Sequence, residues 1–259
     1  MITLILQPML LSDEDNVLST ITIIVPTLNE VENVDLLLER ILSIRRSSNL
    51  DFDILFVDSA STDGTCDRVI DWQKKAPVHL LQHEINVGLA GAVIAGAKYT
   101  DSTYVLVMDA DLSHPPELIP QLLQPLLSGT HDMVIGSRYV EGGSMPDWPF
   151  SRKLSSRIAT LPALFFCEVK DPLAGFFAVE RRRLTGLSDS VPGFKIGLAI
   201  LAEYGKDLRV TEIPIEFRDR DYGESKMNYW VAFDYLKQLN KLALKRVTNI
   251  YSGKSGRKA

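Results

Sequence analysis

The stretch VLVMDADLSHPPE, residues 105–117, decides the fold of this chain. Residues 105–108 are a short apolar run, typical of a fully buried strand. Asp109 and Asp111 lie where that strand is expected to end, and strand-like alternation would point both carboxylates to the same side. Two close carboxylates resist ionising together unless a cation lies between them. The spacing therefore indicates a site for Mg²⁺ or Mn²⁺, a hard ion that also binds substrate phosphates.

A second interpretation of the same stretch needs no metal. Pro115, Pro116 and Glu117 are typical of the first turn of a helix, and the two aspartates would then act as its cap. His114 follows the acidic pair, and holding the turn is a better role for it than acting as a general base.

Strands and helices alternate through the first two thirds of the chain. Apolar runs predict strands at 21–27, 52–58, 78–83, 104–111 and 131–138, with a helical pattern after each of the first four. This rhythm predicts an α/β domain with a mostly parallel central sheet. Ligands bind such sheets beyond the carboxyl ends of the strands, and polar residues cluster at those ends. The glycine- and alanine-rich helix near 88–100 lacks a dinucleotide fingerprint, so we expect its small residues to allow close packing on the sheet.

Composition limits the class of protein. The chain has 259 residues, 46% of them hydrophobic, which is enough for one domain with a sizeable core. Its net charge of −5 argues against a general nucleic-acid-binding protein. Two cysteines make neither a disulfide framework nor a zinc signature, so we expect a reducing compartment. The apolar start of the chain lacks the basic residues of a signal peptide, and residues 158–167 are too short to span a bilayer.

We divide the chain into an N-terminal extension at 1–20, the α/β domain at 21–246 and a basic tail at 247–259. After Asp234 the sequence contains no acidic residue, while lysines and arginines continue to the end. Such a tail is either simply solvated or attracted to anionic lipid.

Several stretches taken together resemble one enzyme family. They are IIVPTLNE, VDSASTDGT, DADLSHPPE, IGSRYVEGG, WPFSRKLSS, DPLAGFFAV, GFKI and GESK, and they cover residues 21–226. In this order they resemble the family 2 glycosyltransferases of the GT-A fold, and more narrowly the catalytic domain of dolichyl-phosphate mannosyltransferases. The resemblance implies a single GT-A (Rossmann-like) domain with helices near its C-terminus that lie at a membrane interface.

The implied activity is an inverting transfer of mannose from GDP-mannose to dolichyl or another polyprenyl phosphate, dependent on Mg²⁺ or Mn²⁺. The implied location is the cytoplasmic face of a membrane, reached directly or through a small membrane-spanning subunit.

Three alternative functions stay open from the sequence. One is a glucosyl- or N-acetylhexosaminyltransferase that uses a UDP-sugar and the same lipid class. The second is a non-catalytic scaffold that binds a nucleotide-sugar, and the third is a nucleotidyltransferase.

The resemblance also assigns residues to the site. The nucleotide-sugar is expected to meet the ends of the first two strands, and the remaining residues are expected to bind metal or phosphate. The residues implied to bind the nucleotide-sugar are Pro26, Leu28, Glu30, Asp58, Asp109, Asp111, Arg138, Arg220 and Lys226. Of these, the implied catalytic residues are Asp109, Asp111, Arg138, Arg220 and Lys226. The implied metal ligands are Asp109, Asp111 and Ser113, and the residues implied to bind the lipid phosphate are Arg138, Arg152 and Ser156.

Three positions depart from the family pattern. Leu28 stands where the family has a tyrosine, which removes a ring that could stack on the nucleotide. Ser59 replaces the second acid of a usual aspartate pair, and Ser113 replaces a glutamine that would be a metal ligand.

Two segments are candidates for contact with the membrane. Residues 150–166 place Arg152, Lys153 and Arg157 before a short apolar run, as in an interfacial helix. The last predicted helix, 229–246, carries an apolar stripe with basic residues beside it. Its stripe either faces lipid or packs on the core of the protein. It comprises Trp230, Phe233, Leu236 and Leu239.

Overall fold

The computed structural model of the chain describes residues 20–187, 195–219 and 235–244. The predicted extension before residue 20 and the basic tail after residue 246 lie outside these ranges. Arg220, Lys226 and the first two members of the C-terminal stripe also lie outside them.

In the described ranges, seven strands form one sheet in the order β3-β2-β1-β4-β6-β5-β7. Six of them run in the same direction, and β6 lies antiparallel between β4 and β5, so the predicted mostly parallel sheet is confirmed. The strands are β1 Ile21–Thr27, β2 Asp53–Ser59, β3 Val78–His83, β4 Tyr104–Val107, β5 Met133–Ser137, β6 Phe177–Glu180 and β7 Val210–Pro214.

Helices cover both faces of the sheet. They are α1 Val31–Ser48, α2 Thr65–Gln73, α3 Gly88–Tyr99, α4 Ile119–Leu127, α5 Phe150–Thr160, α6 Arg181–Thr185 and α7 Ile196–Tyr204, and residues 235–244 are also helical. One apolar cluster joins α1, α2 and α4 to the sheet, and a second joins α3, α6 and α7 to its other face. Burying both faces explains why the strands are continuous apolar runs.

Helix α3 packs closely on the sheet because of its small residues, as predicted. A Cβ atom on Gly96 would lie 2.9 Å from Val57 and 3.0 Å from Ile24. Only glycine therefore fits between α3 and strands β1 and β2 without displacing a neighbour.

The end of β4 differs from its prediction. The strand ends at Val107, and Leu112 adopts a left-handed conformation with φ of 63°. The two aspartates therefore lie in a loop, not in an extended strand, and do not alternate as a strand would. The capping interpretation is also wrong: the 3₁₀ turn Pro116–Leu118 that follows begins without a side-chain cap.

Candidate active site

The loops after β1 and β2 are joined by hydrogen bonds at the carboxyl edge of the sheet. The backbone N–H of Asn29 donates to Ser61 Oγ over 2.8 Å, and that of Thr62 donates back to Asn29 Oδ1 over 2.9 Å. The Asp63 carboxylate accepts the first backbone N–H of α1 and that of α2, over 3.1 and 3.0 Å. These contacts hold both helix N-termini beside the same surface of the sheet.

Asp58 is fully buried at the end of β2. Its carboxylate accepts hydrogen bonds from Thr27 Oγ1 at 3.1 Å and from the N–H and hydroxyl of Ser61 at 2.8 and 2.5 Å. The side chain therefore fixes the two loops described above. A contact between Asp58 and a nucleobase stays a prediction.

The other predicted nucleotide contacts form the rim of the same corner. Pro26 lies in β1 opposite Val57, and Leu28 and Glu30 follow in the partly exposed loop before α1. The Glu30 carboxylate accepts a hydrogen bond from Asn33 Nδ2 over 2.8 Å. The structure thus brings Pro26, Leu28 and Glu30 to the same edge as Asp58.

Asp109 and Asp111 lie beyond β4 in different surroundings. The Asp109 side chain is 34% exposed, whereas Asp111 is buried with 4% of its surface exposed. Asp111 Oδ1 accepts the backbone N–H of Ser113 at 3.1 Å and the Ser113 hydroxyl at 2.6 Å. Ser113 therefore donates its proton to Asp111, and only its oxygen lone pairs are left for a metal.

We call the loop that carries Asp109, Asp111 and Ser113 the acidic loop. His114 holds this loop in place, as expected. Its ring is buried, stacks on Phe176 with centroids 5.0 Å apart and meets Phe217 edge-on. Nδ1 accepts the backbone N–H of Asp109 over 3.0 Å, which leaves the proton of the neutral ring on Nε2, 3.9 Å from Asp109 Oδ2. Desolvation lowers the pKa of His114, although the two neighbouring aspartates oppose this.

The donor set of the acidic loop fits a hard divalent cation. Asp109, Asp111 and Ser113 offer only oxygen atoms, which Mg²⁺ and Mn²⁺ prefer. Within the described ranges, no group of three or more histidine, cysteine, aspartate or glutamate residues forms a complete metal cage. A site of this kind suits a cation that takes its remaining ligands from a phosphate-bearing substrate and from water.

Arg138 follows β5 and is bound by one buried carboxylate. Its backbone N–H, Nε and Nη2 donate to Asp171 over 3.0, 2.8 and 2.8 Å, and Asp171 is fully buried. Burial disfavours the charged guanidinium, but the hydrogen bonds and charge of Asp171 raise the pKa of Arg138 overall. The rings of Tyr139, Trp148 and Phe217 surround the guanidinium at 5.2 to 5.8 Å.

Helix α5 brings the predicted lipid-phosphate residues beside Arg138. The hydroxyl of Tyr139 donates to Ser156 Oγ over 2.7 Å. The Arg152 guanidinium lies 3.9 Å from the centre of the Trp148 ring and donates to Asp219 over 2.7 Å. The structure therefore gathers Arg138, Arg152 and Ser156 around two aromatic side chains.

Lys195 is a cation of the site to which the sequence assigned no role. Its backbone N–H and C=O are bound by the side chain of Gln238, at 3.3 and 2.8 Å, from the helical segment 235–244. Burial and the charge of Arg138 lower the pKa of Lys195 to about 8, while Asp109 and Asp171 oppose the shift. Its GFKI stretch was the available signal, but a single lysine before an apolar helix does not reveal these neighbours.

One side of the site continues into an exposed apolar surface. Helix α5 and the turn after it expose large side chains at helical spacing: Phe150, Leu154, Ile158, Leu161 and Phe165, which we call the α5 apolar face. The two described residues of the C-terminal stripe have different surroundings. Leu239 is buried against Ala163 and Leu198, whereas Leu236 is 56% exposed. No helix in the described part of the chain is long and apolar enough to cross a bilayer.

Comparison with known proteins identifies the family. Residues 22–197 match the profile of Glycosyl transferase family 2, which is more than half of the chain. The chain belongs to this glycosyltransferase family. The solved structure of glucosyl-3-phosphoglycerate synthase from Mycobacterium tuberculosis, with Mn²⁺, UDP and glucosyl-3-phosphoglycerate, matches with a TM-score of 0.64 and 21% identity. That match covers 88% of this chain and 80% of the synthase, and it supports the predicted GT-A fold of this glycosyltransferase.

Two relatives of this glycosyltransferase are more similar in sequence. The dolichol-phosphate mannosyltransferase of Pyrococcus furiosus is 39% identical over 86% of this chain, but the match spans only 63% of that longer protein. The undecaprenyl-phosphate mannosyltransferase of Micrococcus luteus is 40% identical over 79% of this chain and 86% of its own length.

Proposed function

We propose that this glycosyltransferase moves mannose from GDP-mannose to dolichyl or another polyprenyl phosphate, with inversion at the anomeric carbon. The observation that carries this proposal is the position of Arg138, Arg152 and Ser156. Arg138 lies beside the acidic loop, which suits a sugar diphosphate, because the Phe217 ring contacts both Arg138 and His114. Arg152 and Ser156 lie on α5, whose apolar face suits a lipid chain, and the contact between Tyr139 and Ser156 joins α5 to the Arg138 side of the site. The two mannosyltransferases that resemble the chain support the choice of sugar and lipid class.

The donor end of the site is the acidic loop. Asp109 and Asp111 would hold Mg²⁺ or Mn²⁺ together with the donor diphosphate, and Ser113 would contribute its oxygen or hold Asp111. When bound, the cation would stabilise the charge that develops on the leaving nucleoside diphosphate. Arg220 and Lys226, which lie outside the described ranges, are proposed to close over the same diphosphate.

The acceptor needs positioning more than it needs a base. An oxygen of the lipid phosphate forms the new bond to the anomeric carbon, and the bond from that carbon to the diphosphate breaks with its electron pair on the departing oxygen. Because the attacking phosphate is already an anion at neutral pH, no proton has to be removed first. This agrees with the surroundings of His114, which is buried and accepts a hydrogen bond from the acidic loop at Nδ1. Holding two reactants in the right geometry can supply about 7–11 kcal/mol towards the barrier.

We further propose that the enzyme works on the cytoplasmic side of a membrane, with the α5 apolar face lying in the lipid interface. Arg152, Lys153 and Arg157 on the same helix would meet anionic headgroups. Docking is direct in this proposal; recruitment by a small membrane-spanning subunit is the competing account.

Liposome sedimentation tests the docking surface. The double change Phe150→Ser and Phe165→Ser removes the two most exposed rings of the α5 apolar face, which are 79% and 68% exposed. We expect it to abolish binding to liposomes of anionic phospholipid at low salt. The matched control is Ile85→Ser, which changes a 71% exposed apolar residue in the loop between β3 and α3. If the wild type does not sediment with liposomes, or if both variants bind as the wild type does, direct docking through α5 is wrong.

A donor panel tests the reaction itself. Initial rates of transfer to polyprenyl phosphate are measured with GDP-mannose, UDP-glucose and UDP-N-acetylglucosamine, each with Mg²⁺, with Mn²⁺ and with a chelator. We expect transfer from GDP-mannose alone, and only with a divalent cation present. Transfer from a UDP-sugar but not from GDP-mannose would overturn the donor, and turnover undiminished by chelator would overturn the role of the acidic loop.

A further inference from the structure

An arginine–aspartate pair with the same hydrogen bonds lies at each end of the parallel strands β5 and β7. At the amino end, Arg209 donates its backbone N–H, Nε and Nη2 to Asp132 over 2.9, 3.1 and 2.7 Å. At the carboxyl end, Arg138 donates the same three groups to Asp171 over 3.0, 2.8 and 2.8 Å. The second pair lies in the active site, and the first lies at the opposite edge of the sheet.

The two arginines differ in the hydrogen bonds made by Nη1, the guanidinium nitrogen that does not contact the aspartate. Nη1 of Arg209 donates to the carbonyl of Gly129 over 2.9 Å, so that group is also used within the fold. Nη1 of Arg138 has no hydrogen-bond partner among the residues that the structure describes. The Arg138 side chain is only 11% exposed, against 58% for Arg209. Arg138 therefore keeps one donor group for a ligand in a place where water is scarce.

Asp171 is itself held from the neighbouring strand. Its backbone N–H donates to Glu212 Oε1 over 2.9 Å, and that of Lys170 donates to Glu212 Oε2 over 2.7 Å. Glu212 lies in β7 opposite Ile135 of β5, the strand that leads to Arg138. The position of the Asp171 carboxylate is thus fixed to the same pair of strands that carries the arginine.

This arrangement restricts how Arg138 can meet a phosphate. Nε and Nη2 already form a fork with the Asp171 carboxylate, so the arginine cannot turn that fork towards a substrate. The surrounding rings of Tyr139 and Trp148 lie on the side of α5, where the lipid phosphate is proposed to bind. The remaining donor is then held in one direction, which is what a reaction that depends on phosphate placement requires.

We propose that Asp171 is a positioning residue for the transfer reaction, because it fixes the Arg138 guanidinium so that Nη1 donates to an oxygen of the acceptor phosphate. This inference rests on the proposed function. Its action runs through Arg138, which separates it from a carboxylate that only stabilises the fold.

The test compares Asp171→Asn with Asp132→Asn, the matched change at the other end of the two strands. Transfer kinetics are measured with the acceptor varied, and binding of farnesyl phosphate, a short polyprenyl phosphate, is measured by calorimetry. Misplacing a catalytic group by about 1 Å costs about 100-fold, so we expect Asp171→Asn to lower kcat/KM for the acceptor by about 30- to 100-fold and to weaken farnesyl phosphate binding. We expect Asp132→Asn to lower the melting temperature but to change kcat/KM less than about threefold. Binding of GDP with Mn²⁺ should be unchanged in both.

A double-mutant cycle shows whether Asp171 acts through Arg138. If it does, Arg138→Ala with Asp171→Asn is no more than about threefold slower than Arg138→Ala alone. The proposal is overturned if the acceptor kcat/KM of the double variant is ten or more times lower than that of Arg138→Ala. It is also overturned if Asp171→Asn is as active as Asp132→Asn. If Asp171→Asn fails to fold, Glu212→Gln replaces it, because this change weakens the support of Asp171 and keeps the ion pair. An unchanged acceptor kcat/KM in Glu212→Gln would then count against the proposal.

The outcome is separable from that of the proposed function. If the wild type transfers no sugar but binds farnesyl phosphate in a way that depends on Asp171, the reaction is wrong and the positioning role stands. If the wild type transfers mannose and Asp171→Asn equals its control, the reaction stands and the positioning role is wrong.

Discussion

Alanine substitutions at Asp109 and Asp111 should have the same effect on turnover and different effects on stability. Each change removes one proposed metal ligand, and metal stabilisation of a leaving phosphate is worth several kcal/mol. We therefore expect turnover to fall by about 1,000-fold or more in both variants. Because the two side chains have different surroundings in the folded protein, the free energy of unfolding should distinguish them.

The stability difference follows from the hydrogen bonds of the loop. Asp111→Ala removes two bonds donated by Ser113, at 3.1 and 2.6 Å, from a buried carboxylate. Hydrogen bonds to charged groups contribute about 1.5–3 kcal/mol each, so we expect a loss of about 3–6 kcal/mol for the two. At about 2–4 °C per kcal/mol for a domain of this size, the melting temperature should fall by about 6 °C or more, up to about 24 °C. The Asp109 carboxylate is 34% exposed and approaches His114 only to 3.9 Å, so Asp109→Ala should stay within about 2 °C of the wild type.

Differential scanning fluorimetry without metal and initial rates with saturating Mn²⁺ measure the two effects. Asp71→Ala is the control, since this exposed aspartate pairs with Lys74 on the surface at the end of α2. The reasoning is refuted if either loop variant keeps more than a tenth of wild-type turnover. It is also refuted if Asp109→Ala unfolds as early as Asp111→Ala.

Two further predictions concern packing and thiol chemistry. Gly96→Ala should lower the melting temperature by a few degrees, because overpacking against Val57 costs about 1–3 kcal/mol and outweighs the gain of about 1 kcal/mol in helix propensity; a higher melting temperature would show that α3 can shift. Burial, followed by the charge of Asp58, raises the pKa of Cys66 to about 12, and burial raises that of Cys167 to about 11. At pH 8 roughly one thiol in 10,000 and one in 1,000 are then ionised, so iodoacetamide should label Cys167 faster than Cys66, and both slowly until urea is added. Labelling is followed by mass spectrometry, and rapid labelling of either cysteine in the native protein would contradict this prediction.

The sequence predicted those parts of the fold that depend on local patterns. The apolar runs located the first five strands along the chain, and the polar residues after them located the edge where Asp58, Asp109 and Arg138 gather. The antiparallel direction of β6 could not be predicted, because the runs that form β4, β5 and β6 do not specify which of them pair. The unequal burial of Asp109 and Asp111 was also missed, because it depends on the path of the loop after β4. That loop includes Leu112 in a left-handed conformation, which leucine rarely adopts and which its sequence does not indicate.

The contacts that tune the site join distant parts of the chain. Arg138 and Asp171 are 33 residues apart, and Lys195 and Gln238 are 43 apart. Spacing along the sequence carries no signal for such pairs, because they depend on how β5, β7 and the C-terminal helical segment pack together. The resemblance to glycosyltransferases placed Arg138 in the site but gave no reason for its fixed orientation.

The most direct test of the account is the structure of the product formed from GDP-mannose labelled with ¹³C at the anomeric carbon. The enzyme is incubated with polyprenyl phosphate and Mn²⁺, and the lipid product is examined by NMR. We predict an anomeric carbon that couples to the phosphorus of a phosphodiester and has the β configuration, as a single displacement by the lipid phosphate requires. An α-configured product, or an anomeric carbon without coupling to phosphorus, would contradict the central claim.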